Sequence, residues 1–89
     1  MSEAAPSCER DFVVANELGL HARPAGRFVA LAGRFESEVQ VARDGEWVSG
    51  LSVLSLLSLA AGQGTRLRVR ADAPDAAAAV DAPRRRIQA

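Results

Sequence analysis

The sequence predicts an α+β domain in which a four-stranded antiparallel sheet is covered on one face by three helices, in the order β-α-β-β-α-β-α. Three observations carry that expectation. Residues Thr65 to Ala71 alternate without a miss, with Leu67, Val69 and Ala71 against Arg66, Arg68 and Arg70, the period-two pattern of a strand with one wet face. Residues from Ala22 onward place Ala25, Phe28, Val29 and Ala32 at steps of three and four, the stripe of an amphipathic helix. Helices that each bury one apolar stripe, interleaved with half-polar strands, require a two-layer arrangement with the second sheet face in water.

Each element can be justified in turn. The apolar run Phe12, Val13, Val14, Ala15 reads as a buried first strand of about five residues. Asn16 and the loop Glu17-Leu18-Gly19 follow, and the first helix opens at Ala22, with Pro24 in its first turn and Gly33 as its C-terminal cap. Glu38 to Arg43 alternates, Asp44-Gly45 supplies a tight turn, and Glu46 to Ser49 returns as a hairpin. Ser52 to Leu59 carries Val53, Leu54, Leu56, Leu57 and Leu59 between Gly50 and Gly62, which fits a short helix capped by Ser52 better than a strand. After the Thr65–Ala71 strand, Asp72 or Asp75 can cap a last helix over Ala76 to Ala82, which Pro83 is expected to stop. The domain is therefore expected over residues 10–82, between a disordered leader at 1–9 and a basic tail at 83–89 containing Arg84, Arg85 and Arg86.

Bulk properties narrow the function classes. The chain has 89 residues, 48% of them hydrophobic and 25% charged, which is the composition of one globular domain and not of a disordered segment. Eleven cationic side chains, all arginine, balance eleven carboxylates, so no net field recruits nucleic acid or a membrane surface. Cys8 is the single cysteine; it has no internal disulfide partner and no companions at zinc spacing, which points to a cytoplasmic chain. The segment MSEAAPSCERD has no apolar stretch of the signal-peptide kind, so neither export nor membrane insertion is expected.

The chemistry converges on NELGLHARPAG, which contains the one histidine, His21. His21 falls at the N-cap of the first helix, beside free backbone N–H groups and the positive end of the helix dipole. Once the ring carries a phosphoryl dianion, the backbone N–H groups of Ala22 and Arg23 and the Arg23 guanidinium form an anion site at the helix start. From position alone an ordinary capping or surface histidine is a commoner reading of such a residue than a nucleophile. No second histidine, carboxylate pair or Ser-His-Asp set accompanies it, so self-contained hydrolytic or metal chemistry lacks its parts. A lone histidine suits reversible carriage of a group between partners that bring the remaining catalytic groups.

LGLHARPAGRFVALA, followed by GLSVLSLLSLAAGQGT, resembles the HPr family of histidine phosphocarriers in the bacterial phosphoenolpyruvate-dependent phosphotransferase system. The resemblance implies an open-faced β-sandwich with His21 as phosphoacceptor on Nδ1, Arg23 as charge partner, and Enzyme I and an Enzyme IIA as donor and acceptor. Five large aliphatics on so short a helix cannot all point inward, so a stripe of Leu51 with one or two of Leu54, Leu57 or Val53 is expected to be exposed, and the resemblance implies docking of partners through it. Arg27 can supply a rim charge there or simply belong to a solvated helix face, and a monomer without cofactor is expected. The resemblance also implies regulatory phosphorylation of Ser52 by an HPr kinase/phosphorylase. The chain departs from the pattern there, with Leu51 in place of the usual lysine and Ser55 in place of a glycine.

Rival readings stay distinct. A regulatory HPr paralogue, signalling nitrogen or carbon status without sugar transport, would use the same chemistry. A structural homologue without transfer activity is raised by Leu51, Ser55 and Pro83. A sheet-face RNA binder is suggested by Arg66, Arg68 and Arg70, but such sheets need stacking aromatics, and Trp47 and the three phenylalanines show no strand-centred pairing.

Overall fold

A computed structural model describes residues 7–72 and 75–88. Its elements are β1 (Ser7–Val13), α1 (Ala22–Ala32), β2 (Val39–Arg43), β3 (Glu46–Ser49), α2 (Val53–Leu57), β4 (Arg66–Asp72) and α3 (Ala76–Gln88). The strands form one antiparallel sheet in the order β1-β4-β2-β3, the α+β arrangement read from the sequence. In register, Phe12 lies opposite Leu67 and Val41 opposite Val69, so alternate residues of three strands share the helix-covered face. Phe12, Val39, Val41, Leu67, Val69 and Ala71 there meet Ala25 and Phe28 of α1, Leu56 of α2 and Ala79 and Val80 of α3 in one core.

The other sheet face is polar and internally paired. Arg68 is held by Asp11, directly opposite on β1, at 2.8 Å and by Glu9, two residues along that strand, at 3.2 Å. Arg70 lies 4.2 Å above the Trp47 ring and donates to Gln40. The stripe that suggested RNA binding is thus largely committed within the protein, and its one tryptophan is covered by a guanidinium.

Several expectations change. The first strand begins at Ser7, not Phe12, because β4 offers backbone partners as far as Asp72, opposite Ser7. β1 is an edge strand, so this polar segment pairs without needing apolar alternation; residues 7–9 are therefore strand rather than leader, and residues 1–6 lie outside those described. Val13 is 42% exposed, since the chain alternates here and, of Phe12 to Ala15, only Phe12 and Val14 are buried. α2 is shorter than Ser52–Leu59: it ends at Leu57, and the chain turns out through Ala60 at φ +52 while Leu59 stays buried.

Pro83 also fails to end α3, which continues to Gln88. A proline inside a helix lacks its N–H and costs roughly 3 kcal/mol. Here its ring is fully buried and extends the stripe Ala76, Ala79, Val80, Pro83, which recurs at helical spacing toward the core. Burial of that ring opposes the backbone cost. The 83–89 segment is accordingly helical as far as Gln88, not a tail. Of the two cap candidates, Asp75 directly precedes α3, and its carboxylate turns away to accept from the N–H groups of Glu36 and Ser37 and from the Ser37 hydroxyl.

Other expectations stand as read. Asp44 and Gly45 both have positive φ, 53° and 84°, the conformation of a two-residue hairpin turn whose twist matches its strands. Ser52 caps α2 by accepting the Ser55 N–H at 3.2 Å. Among the described residues no helix is long and apolar enough to cross a membrane.

Candidate functional site

The loop before α1 is shaped by its own sequence. The side-chain oxygen of Asn16 accepts the Leu18 N–H at 2.9 Å and its backbone oxygen accepts the Gly19 N–H at 2.9 Å, a turn that short polar side chains favour. Gly19 then adopts φ +73, and a Cβ there would stand 2.6 Å from the Ala61 oxygen. Only glycine combines that backbone with so close an approach. The next residue, Leu20, is buried and donates its N–H to Ala61 at 2.8 Å, which fixes the loop against the α2–β4 connection.

His21 follows as the N-cap of α1, extended at φ −97 and ψ −173, and its side chain makes no capping hydrogen bond. Its ring is half-buried. Of the two ordinary roles, capping fails on geometry, because the imidazole is not spent on the helix; that of a plain surface histidine stays open. The first intrahelical bond runs from the Ala25 N–H to the His21 oxygen at 3.0 Å, and Pro24 has no N–H to offer. Ala22 and Arg23 are exposed, and among the described residues neither backbone N–H has an acceptor. These are the orphan donors of a helix start.

Asn16, Leu18, His21, Ala22, Arg23 and Arg27 line one open recess. Arg23 and Arg27, one helical turn apart, are both exposed, and no described carboxylate pairs with either. The recess thus combines an uncommitted imidazole, two free amide donors and two guanidinium side chains, a set suited to an anion formed on the ring. Among the described residues no three His, Cys, Asp or Glu side chains gather as a metal site would require.

The candidate docking residues divide. Leu54 is 79% exposed and Leu51 46%, whereas Leu57 is partly buried and packs against the core, so its contact surface is smaller than expected. Leu18, assigned no role from sequence, is 77% exposed on the recess rim. Asn16 was also unassigned, yet its side-chain nitrogen lies 3.5 Å from Nε2 of His21. Its position in the quoted motif was visible; the folding of a five-residue separation into contact was not.

A small one-face-covered sheet with a solitary histidine at a helix mouth defines a class, the single-histidine carrier, as distinct from a catalyst holding its own acid and base. The family model for the PTS HPr component phosphorylation site matches residues 8–88. The chain belongs to that family, the HPr phosphocarriers of the phosphotransferase system. It is 40% identical over 74 residues to the phosphocarrier protein HPr of Cupriavidus necator, covering 83% of each chain. It is 43% identical over 63 residues to that of Pseudomonas aeruginosa, covering 70% of each. Its structure superposes on HPr from Bacillus anthracis with a TM-score of 0.86 at 32% identity, covering 92% of this chain and 98% of the other.

Proposed function

We propose that this chain relays phosphoryl groups: Nδ1 of His21 takes one from phosphorylated Enzyme I and yields it to an Enzyme IIA, in the cytoplasm, in support of sugar uptake. The observation that carries the reading is the imidazole free of any capping role beside two unpaired helix-start amides. In the forward step the Nδ1 lone pair of the Nε2–H tautomer attacks phosphorus, the new P–N bond forms as the donor's bond to phosphorus breaks with its electron pair staying on the donor, and the Nε2 proton passes to solvent while the donor takes up a proton in its place, which leaves the adduct ring neutral. The onward step is the same exchange with His21 as the leaving ring. The amides of Ala22 and Arg23 and the Arg23 guanidinium meet the dianion between these steps.

Leu51 and Leu54, with the exposed part of Leu57, offer partners an apolar contact, and Arg27 a rim charge for acidic side chains. Ser52 caps α2 in any case; its phosphorylation by an HPr kinase/phosphorylase would add charge at a helix start that tolerates it, beside that apolar contact. The chain acts as a monomer. Incubation with phosphoenolpyruvate and Enzyme I tests the reading: an acid-labile mass gain of one phosphoryl group is expected, and its absence in His21→Ala. An acid-stable adduct, or a gain that survives His21→Ala, would overturn it.

A further inference from the structure

The phosphocarrier reading leaves two side chains of the recess without a task, Leu18 and Asn16, of which only the second is polar. Asn16 is half-buried, and its amide is oriented by an independent contact, since Oδ1 accepts the Leu18 N–H at 2.9 Å. The amide nitrogen is therefore the end turned toward the imidazole, 3.5 Å from Nε2. That distance is the outer limit of a hydrogen bond, as such contacts often are before a reacting group is in place.

The chemistry of an Nδ1 phosphoryl adduct gives this contact a consequence. With phosphorus on Nδ1 and the ring neutral, Nε2 carries a bare lone pair. Hydrolysis is fast when a proton enters at Nε2, because water then attacks phosphorus, the P–N bond breaks toward Nδ1, and the ring leaves as neutral imidazole. An amide N–H can donate a hydrogen bond to Nε2 but cannot supply that proton.

We infer that Asn16 is a positioning residue for the phosphorylated ring, its side-chain amide donating to the bare Nε2 of His21 and thereby holding the adduct in its slowly hydrolysing form. The inference rests on the phosphocarrier reading. The charged groups nearby bear on the same equilibrium: Arg23 and Arg27 line the recess as cations, while Glu17, the loop's one carboxylate, is exposed next to Asn16 and does not line it. The two cations disfavour protonation of the adduct, which Asn16 reinforces through one defined atom.

Asn16→Asp isolates that atom. The substitution keeps an oxygen for the Leu18 N–H, so the turn survives, and replaces the donor by an acceptor that stabilises an Nε2–H instead. Asn16→Ala removes both contacts. The protein is loaded with phosphoenolpyruvate and Enzyme I, freed of both, and the loss of phosphohistidine is followed by phosphorus NMR across pH 5 to 9. The Asn16→Asp variant is expected to lose its phosphoryl group roughly tenfold faster than the parent at neutral pH, the factor one charged hydrogen bond supplies. Its pH profile should move upward by about one unit, with the alanine variant between. Superimposed profiles for parent and Asn16→Asp, both loaded, would overturn the role of Asn16 alone; failure of the parent to load would overturn the phosphocarrier reading and this inference with it.

Discussion

At the scale of single residues, the site depends on atoms whose alternatives are sterically closed. Gly19→Ala would place a methyl group 2.6 Å from the Ala61 oxygen at a backbone angle that alanine resists. It is expected to cost about 2 to 3 kcal/mol in denaturant unfolding and to slow phosphoryl transfer by shifting His21. Unchanged stability would mean that the loop is not held against Ala61 as described. Arg23 acts differently, because it is exposed and no described carboxylate pairs with it. Arg23→Ala should leave the melting temperature unchanged and reduce transfer from Enzyme I on the order of 10- to 100-fold, the value of one hydrogen bond to a charged group. The motif around His21 was fully legible at this scale, since residue types and spacing alone define a helix start. The placement of Asn16 and Leu18 on the recess was not, because it arises from a turn that brings residues 16 and 21 together.

At the scale of elements, the α1–β2 connection is tied to α3 by Asp75. Hydrogen bonds from the Ser37 hydroxyl and from the N–H groups of Glu36 and Ser37 hold its carboxyl below the ordinary carboxylate range. Folding therefore lowers its proton affinity, so its contribution to stability is complete above about pH 4, the unfolded value, and fades as pH falls through the lower folded value. Asp75→Asn should flatten that part of the acid limb of a stability–pH curve; an acid limb unchanged from the parent would assign it to other groups, Asp11 beside Arg68 first among them. Helix α2 offers a complementary test of surface against core. Leu54→Asp, at a position 79% exposed, should leave unfolding unchanged while raising KM for Enzyme I or Enzyme IIA, whereas Leu56→Ala, fully buried, should cost about 2 to 5 kcal/mol. Strand β4 and helix α1 were readable because amphipathic period and burial coincide in them. The polar start of β1 and the passage of α3 through Pro83 were not, because backbone pairing with β4 and burial of the proline ring overrode local propensity.

At the scale of the whole molecule, the division of labour follows the two faces of the sheet. One face is buried under helices whose start carries the histidine, and the other is closed by Arg68 with its two carboxylates and by Arg70 over Trp47. The recess around His21 lies where its loop meets the α2–β4 connection and α1 packs on α2. The element order was legible in full from periodicity, while the sheet order β1-β4-β2-β3 rests on long-range pairing that no local pattern reports. The most direct measurement of the central claim is nitrogen and phosphorus NMR on the protein loaded through Enzyme I with its imidazole nitrogen-labelled. The account predicts a phosphorus coupling to Nδ1 of His21, with Nε2 free of phosphorus; a coupling to Nε2, or a phosphoryl signal on Ser52 with the ring unmodified, would contradict it.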